Sequence, residues 1–366
     1  MSPSSSSSDP FRFLVAAGPV AASTSARAWV AALVEVEAAL AGAQADAGEL
    51  TAGVAEAIGR ACDIERVDVD AVVDEAALGG NLLIPLLSRL RANAGPDAAD
   101  VHRSATSQDI VDAATALVVR RSATAVVADL HAAAADAAEL EARAGAAPMI
   151  ARTLGQHAVP TTFATVTGRW RAGLGAAAAG ITGTATPAVW LGGPSGDGTS
   201  FGARRSAILR AFAARLDLPA APASTHAQRT WITEVAGAWG TAASACAKVG
   251  LDVVVLAQDD VGEVRERAEG AGGSSSMPHK HNPVAAISAR AAAMQAPGLV
   301  ATMLTAAGSG ESERAAGAWH AEWPALHTLL RATGSAAWWV GESLRRLQVD
   351  TDRMAANLAR NGKEHR

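Results

Sequence analysis

One stretch of this sequence constrains the fold more than any other. Residues 107–144 contain neither proline nor glycine, and apolar residues recur among them at spacings of three and four. This spacing places the apolar side chains on one face of a helix of about ten turns. Because a helix of this length buries its apolar face only against other long helices, the stretch predicts a bundle of long helices.

Other segments repeat the helical spacing. In residues 25–47, Trp29 and Leu33 lie on one face, and Ser25 is placed to cap the first turn. Residues 187–202 are rich in glycine and proline and are predicted to form a loop. No segment reads as a run of strands, so the predicted fold class is all-α. Further helices are predicted over residues 156–180, 228–268, 284–307 and 321–346.

The positions of polar and helix-ending segments divide the sequence into four predicted parts. Polar residues cluster at 93–100, and the long helical segments end at Arg346. The predicted division is a disordered tail (1–10), a small N-terminal helical domain (11–100), a central long-helix bundle domain (101–346) and the remnant of a C-terminal domain (347–366).

Composition narrows the class of partner and the compartment. The chain has 31 basic and 36 acidic residues, a net charge of -5 and no dense Lys/Arg run, which argues against a nucleic-acid partner. Charges interrupt the apolar segments, so no membrane span is expected. Cys62 and Cys246 show no CxxC spacing, and the N-terminus has a serine run without an apolar core. We therefore expect a cytoplasmic protein.

The segment "EGAGGSSSMPHKHNPVAA", residues 269–286, lies between two predicted helices. Its glycines permit movement, and Pro283 suits the first turn of the next helix. A solvated Gly/Ser hinge is one interpretation. A linker needs neither Lys280 nor Asn282, however, and backbone N–H groups near a helix start beside an ammonium favour an anion. A carboxylate ligand is expected here.

Two further polar segments allow a structural and a functional interpretation. In "HRSATSQDIVDAA", residues 102–114, Thr106, Ser107 and Asp109 form an N-cap in one interpretation. In the other, the two hydroxyls and the Gln108 amide hold a carboxylate at the positive end of the helix. In "SERAAGAWHAEWPAL", residues 312–326, the tryptophans are expected to pack in the core. The arginine of that segment, Arg314, is either a surface charge or a carboxylate clamp.

In "ARTLGQHAVPTTF", residues 151–163, Arg152, Thr153, Gln156 and His157 lie close together between predicted helices. A single histidine in such a place is either a hydrogen-bonded structural residue or a catalyst.

Together these four segments resemble the fumarase/aspartase superfamily. The signature loop of that superfamily, GSSxMPxKxNP, stands here as "GSSSMPHKHNP", residues 273–283. Within the superfamily the chain is most similar to the bacterial 3-carboxy-cis,cis-muconate cycloisomerases, through "HRSATSQDIVDAA", "GGSSSMPHK" and "ERAAGAWHAEWPAL". The resemblance covers residues 11–358.

The resemblance implies an all-helical fold in three domains, here with a shortened C-terminal domain, and a homotetramer whose active sites are shared between subunits. It also implies neither a metal nor an organic cofactor. Members add or eliminate across a carbon–carbon bond beside a carboxylate, through a carbanion that spreads into that carboxylate. The substrate would be a small dicarboxylate or tricarboxylate, and a cycloisomerase closes it to a lactone.

The resemblance also implies roles for individual residues. Ser274 would transfer the proton at carbon, as an acid in lactonisation and a base in reverse, and Ser275 is the alternative for this role. An aci-carboxylate needs prearranged donors, which Thr106, Ser107, Thr153, Lys280 and Asn282 could supply. The catalytic set is Ser274, Lys280, Asn282 and His157, and the substrate-binding set is Thr106, Ser107, Gln108, Arg152, Thr153, Gln156, Ser275, Met277 and Arg314.

Some positions separate this chain from its relatives. Adenylosuccinate lyases resemble it in two motifs but carry a catalytic histidine where this chain has Leu154, and a His-Asp pair where it reads "GGNLLIPLL", residues 79–87. His281 stands where the cycloisomerases usually have a basic residue. The alternatives are an elimination enzyme acting on a succinyl adduct, an inactive scaffold, or metal binding by His279 and His281 with His102 or His157.

Overall fold

The structure, a computed structural model, describes residues 10–267, 272–273, 276–277 and 280–364, with side chains up to Arg360. Its helices are α1 (Arg12–Val15), α2 (Val20–Ser23), α3 (Ala26–Asp46), α4 (Ala52–Ala61), α5 (Val69–Gly79), α6 (Leu83–Ala94), α7 (Ser107–Ala144), α8 (Phe163–Gly183), α9 (Arg205–Leu216), α10 (Thr230–Leu256), α11 (Val284–Ala293), α12 (Ala296–Gly308), α13 (Ala318–Arg345) and α14 (Thr351–Glu364). The strands are β1 (Pro148–Thr153), β2 (Gln156–Thr162), β3 (Val264–Glu266) and β4 (Leu347–Val349).

Long helices packed side by side form the body of the molecule. Helix α7 lies against α8 and α13, while α10 contacts α8, α11 and α13. Trp170 of α8, Trp239 of α10 and Leu117 of α7 are fully buried between them. The N-terminal helix α3 packs on α7 and α9. The predicted all-α fold with a central bundle of long helices is confirmed.

The predicted long helices are largely correct. The 38-residue helix α7 begins at Ser107 and ends at Ala144, as the sequence predicts. Helix α3 follows its predicted cap, since Ser25 Oγ accepts a hydrogen bond from the Ala28 N–H at 3.1 Å. These helices were predictable because a long apolar periodicity without Gly or Pro is a strong signal.

Three predicted helices differ from the structure. Residues 156–162 form β2, which pairs antiparallel with β1, and the helix starts only at Phe163. Leu154 and Gly155 make the turn between these strands with φ of +52° and +80°. The helix predicted over 228–268 ends at Leu256, before β3, and the helix predicted over 284–307 is interrupted between α11 and α12.

The last part of the described chain packs against the central elements. Strand β4 pairs antiparallel with β3, with Val264 opposite Val349, and α14 lies against β1. Asn357 of α14 donates from Nδ2 to Glu263 Oε1 at 2.8 Å. The division into four parts stays a prediction.

Within the described part of the chain, three helical stretches are long and apolar enough to cross a membrane by length and composition: Ala26–Asp46, Thr230–Leu256 and Val284–Gly308, the last of which comprises α11 and α12. The expectation that charges interrupt every apolar segment is therefore wrong for these stretches. In the first, 61% of the most apolar window is buried within the chain, against 44% and 39% in the other two. Helices α10 to α12 thus expose much apolar surface on a single chain.

Replacing two helical glycines by alanine should change the stability of the protein in opposite directions. A Cβ on Gly334 would lie 2.6 Å from the Cβ of buried Val20, so Gly334→Ala should destabilise the protein by about 1–3 kcal/mol through overpacking. A Cβ on Gly59 of α4 meets nothing within 4 Å, so Gly59→Ala should stabilise the protein by about 0.5–1 kcal/mol. Urea unfolding measures both, and a neutral Gly334→Ala would show that α2 is not held against α13.

Candidate active site

The first group of predicted site residues lies at the start of α7. Thr106 is the N-cap and Ser107 the first helical residue, and both are half-buried. The unpaired N–H groups and the helix dipole make this end attractive to an anion. Asp109 is fully buried, and its carboxylate accepts hydrogen bonds from the N–H groups of Thr106 (2.8 Å), Gly192 (2.6 Å) and Gly193 (3.0 Å). Asp109 therefore ties the glycine-rich loop to α7.

Gln108 and Arg314, both predicted to bind substrate, contact each other. Arg314 Nε donates to Gln108 Oε1 at 3.2 Å, and Gln108 Nε2 donates to the carbonyl of His226 at 2.9 Å. Gln108 has no exposed surface, whereas Arg314 is half-buried. In this structure Gln108 orients Arg314 from behind, and Arg314 is the side chain that a ligand can reach.

A buried charge cluster lies one turn further along α7. Arg229 donates from Nη2 to Asp112 Oδ1 at 3.0 Å and to Glu322 Oε2 at 2.6 Å, and Trp319 Nε1 donates to Asp112 Oδ1 at 3.2 Å. Burial alone would lower the pKa of Arg229, but the two carboxylates outweigh it and raise that pKa. Burial raises the pKa of Glu322, and Arg229 opposes this only in part. The cluster fixes α7, α10 and α13 around Gln108.

The second group of predicted residues lies on the β1–β2 hairpin. Arg152 makes two hydrogen bonds to Glu263, from Nη1 to Oε2 at 2.9 Å and from Nη2 to Oε1 at 2.7 Å, and Glu263 is fully buried. The Glu263 carboxylate thus pairs with the Arg152 guanidinium, which was expected to bind a substrate carboxylate. Thr153, Gln156 and His157 are exposed at the tip of the hairpin, where a ligand or another subunit can reach them.

The third group lines a cavity of about 490 Å³ beside the end of α10. Lys280, Asn282 and Met277 border it together with Arg265. The Asn282 N–H donates to the Gly272 carbonyl at 2.8 Å. Gly272 has φ of +79°, and a Cβ there would lie 2.7 Å from the Asn282 carbonyl oxygen. This close approach of the two backbones therefore requires glycine at position 272. The remaining lining residues are Val254, Ala257, Gln258, Asp259, Glu266, His281, Pro283 and Ile287.

The N–H groups at the start of α11, behind this cavity, already bind a carboxylate of the protein itself. Glu266 accepts hydrogen bonds from the N–H groups of Ala285 (3.0 Å) and Ala286 (2.9 Å), and from the Ser343 hydroxyl. The expectation that these N–H groups bind a ligand carboxylate is therefore wrong. The polar groups that line the cavity besides Glu266 are Lys280, Asn282 and Arg265, together with Gln258, Asp259 and His281.

Two predicted residues cannot be placed. Ser274 and Ser275, the candidates for proton transfer, lie outside the described residues, as does His279. Among the described residues, no three His, Cys, Asp or Glu side chains are arranged to hold a metal ion.

The predicted residues fall at opposite ends of the bundle. Helix α7 spans about 57 Å at 1.5 Å per residue, with Thr106 at its start and the hairpin just after its end. The cavity lies at the hairpin end, since Arg265 follows Glu263, the partner of Arg152, by two residues. One chain therefore does not bring Ser107 and Arg314 together with Lys280 and Asn282.

This arrangement of long helices and polar ends matches known proteins. The profile of the lyase family matches residues 12–298. The chain belongs to the lyase family. The predicted membership of the fumarase/aspartase superfamily is confirmed, and the chain is an enzyme of that superfamily.

The relatives of the lyase are named for several different activities. It is 37% identical to the 3-carboxy-cis,cis-muconate cycloisomerase of Bradyrhizobium diazoefficiens over 89% of this chain and 74% of that protein. It is 41% identical to the nitrosuccinate lyase of Streptomyces davaonensis over 93% of this chain and 74% of that protein. The crystal structure of the 3-carboxy-cis,cis-muconate lactonizing enzyme of Pseudomonas putida superposes with a TM-score of 0.89, at 31% identity, covering 95% of this chain and 79% of that one.

Sequence reasoning about this lyase missed the residues that hold the site in place. Arg229 and Glu322 were not singled out, although Glu322 lies on the buried face of α13 and Arg229 is the buried N-cap residue of α10. Glu322 follows buried Trp319 by three residues, and Arg229 precedes buried Ile232 by three. A charge at a buried helical position was the available signal, because such a charge requires a partner.

The buried cluster generates a stability prediction. Arg229→Met leaves Asp112 and Glu322 buried without their cation and should destabilise the lyase by about 3–5 kcal/mol. Arg27→Met removes a pair with Glu65 in which both side chains are more than half exposed, and should cost less than about 1 kcal/mol. Urea unfolding of both variants measures the difference. Adding Asp112→Asn and Glu322→Gln to Arg229→Met should recover part of the loss, and equal costs for the two arginines would contradict the assignment.

Proposed function

We propose that the lyase is a 3-carboxy-cis,cis-muconate cycloisomerase that forms 4-carboxymuconolactone in the breakdown of aromatic acids. The observation that carries the proposal is the cavity of about 490 Å³ in which Lys280, Asn282 and Arg265 present cationic and amide donors. Such groups suit a substrate with several carboxylates. Relatives named for this activity in Bradyrhizobium diazoefficiens, Pseudomonas putida and Acinetobacter baylyi are 35–37% identical to this chain.

The proposed chemistry is general acid–base catalysis. A substrate carboxylate oxygen bonds to an alkene carbon, and the alkene electrons move toward a neighbouring carboxylate to give an aci-carboxylate. Lys280 and Asn282 stabilise this dianion, and Ser274 donates the proton that ends on carbon. Ser275 stays the alternative donor. His157, exposed on the hairpin, is proposed to approach the substrate from another subunit.

The remaining assignments divide by position. Thr106, Ser107 and Arg314 are proposed to bind one carboxylate at the α7 end, with Gln108 orienting Arg314. Met277 is proposed to contact the substrate in the cavity of about 490 Å³ lined by Lys280 and Asn282, which we call the Lys280 cavity. Thr153 and Gln156 are proposed to contact the substrate from the hairpin tip. Arg152 is proposed to act only through its pair with Glu263.

We propose a homotetramer with shared sites. An antiparallel neighbour would bring the Ser107 end of one α7 to the Lys280 cavity of another copy. Leu251 of α10, Ile287 of α11 and Leu304 of α12 are 39%, 45% and 55% exposed on one chain, which is apolar surface that a second copy would cover. We place the enzyme in the cytoplasm, consistent with its free cysteines, Cys62 and the fully buried Cys246.

A second candidate is β-elimination from a substituted succinate. The 41% identity to a nitrosuccinate lyase favours it. For elimination from adenylosuccinate the support is weaker, because Leu154, at the place of that family's catalytic histidine, is a fully exposed turn residue. An inactive scaffold is the third outcome.

Substrate assays separate these candidates. The purified protein should consume 3-carboxy-cis,cis-muconate with loss of its diene absorbance, because lactonisation removes one of the conjugated double bonds. Nitrosuccinate and adenylosuccinate, followed by fumarate formation, should turn over far more slowly or not at all. Ser274→Ala should lower turnover at least about 100-fold while binding and oligomer mass persist.

Fumarate from nitrosuccinate without loss of the diene signal would transfer the assignment to the elimination enzyme. No turnover of any of the three would support the scaffold. Full activity of Ser274→Ala would move proton transfer to Ser275 or another group.

A further inference from the structure

A second cavity, of about 240 Å³, lies between α3, the α5–α6 loop, α7 and α13. Its walls include Trp29 and Leu33 of α3, Leu82 of the loop, Val111 of α7 and Trp323 of α13. Nearly all the surface it presents is apolar. None of these residues belongs to the predicted catalytic or substrate-binding sets, so the cavity has no role in the chemistry described so far.

The position of the cavity relates it to the α7 end of the site. Val111 follows Ser107 by four residues on the same helix, so their side chains lie on one face about 6 Å apart. Both residues are half-buried, whereas Gln108 and Ile110 on neighbouring faces are fully buried. A ligand held by a carboxylate at Ser107 can therefore extend along α7 toward Val111.

The polar groups around the cavity offer little to a charged ligand. Trp29 Nε1 donates to His327 Nδ1 at 3.1 Å, and Arg331 lies 3.1 Å from His327 Nε2. Burial, and after it the charge of Arg331, lower the pKa of His327 to about 4, so its ring is neutral at pH 7. Trp323 Nε1 is buried without a hydrogen-bond partner among the described residues and leaves one donor for an oxygen atom.

We infer that this cavity binds the unsaturated hydrocarbon segment of a carboxylate substrate whose carboxylate is held at Ser107, and that it sets the specificity of the enzyme for a conjugated carbon chain. The inference rests on the proposed function for the assignment of Thr106 and Ser107 as the carboxylate site. It adds a specificity pocket formed by Trp29, Leu33, Leu82, Val111 and Trp323, which we call the Val111 pocket.

Size and polarity both favour this occupant. The cavity of about 240 Å³ offers room for a small hydrocarbon segment. A carboxylate or nitro group placed there would lose hydration with few donors in return, chiefly Trp323 Nε1 and the Asn81 amide. The tryptophan rings instead suit a flat conjugated chain. The pocket therefore favours a muconate skeleton over the short, polar skeleton of nitrosuccinate.

Calorimetric titration of the intact homo-oligomer tests the inference with two dicarboxylates, cis,cis-muconate and succinate. Muconate carries two more carbon atoms for the pocket, so it should bind about tenfold more tightly than succinate. Val111→Phe fills the pocket and should abolish this preference while leaving succinate affinity unchanged. Equal affinities in the natural protein, or a preference that survives Val111→Phe, would overturn the inference.

Two further variants protect the test against a folding defect. Trp323→Ala removes a wall of the pocket without adding bulk, and should weaken muconate binding but not succinate binding. Leu78→Phe adds an aromatic ring to α5, where Leu78 is 92% exposed, and should keep the preference. If Val111→Phe instead lowers the oligomer mass in light scattering, the pocket holds a side chain of a second copy, and the inference is wrong.

The outcomes also separate this inference from the proposed function. Suppose that Val111→Phe abolishes a tenfold preference for muconate over succinate, in a protein that turns over none of the three assay substrates. This result would support the pocket and refute the cycloisomerase. Turnover of 3-carboxy-cis,cis-muconate with the same KM in Val111→Phe as in the natural protein would keep the cycloisomerase and refute the pocket. Support for both requires a raised KM in that variant, with no change in thermal unfolding.

Discussion

The length of α7 is the constraint on which the rest of this molecule depends. An unbroken helix of 38 residues holds its two ends about 57 Å apart, and the polar groups that suit a carboxylate substrate are divided between those ends. At one end are Thr106, Ser107 and Arg314, and at the other are the hairpin and the Lys280 cavity. The same packing leaves apolar faces of α10 to α12 uncovered on a single chain. The homotetramer that we propose would bring the two ends together and cover these apolar faces.

Buried charges determine which side chains face a ligand. Asp109 fixes the glycine-rich loop, Glu263 holds Arg152, and Glu266 occupies the start of α11. Each of these carboxylates satisfies donors that would otherwise attract a substrate, because buried N–H groups and guanidinium groups require partners. What remains accessible is a smaller set, chiefly Ser107, Arg314, Lys280 and Asn282. We therefore propose that the enzyme binds anionic substrates through these groups, which its own carboxylates leave unpaired or only partly paired.

The sequence was a good guide to the helices and a weaker guide to the site. Helix α7 could be bounded from its apolar periodicity and its N-cap, and the motif residues Lys280 and Asn282 do line a cavity. The hairpin was missed because its turn depends on positive φ at Leu154, a residue type that rarely adopts it. The pairing of Arg152 with Glu263 joins residues more than 100 positions apart, so no local pattern could reveal it. Ser274 lies outside the described residues, and its role stays a prediction.

Complementation between inactive variants tests the shared site most directly. Arg314→Met disables the α7 end and Lys280→Met disables the cavity, and each alone should be inactive. If one site uses these residues from different copies, random mixed oligomers from equal co-expression regain sites with both residues intact. The expected activity is about one quarter of the natural value, one half multiplied by one half. Mixed oligomers that stay as inactive as their parents would show that each site is built within one chain, and would contradict this account.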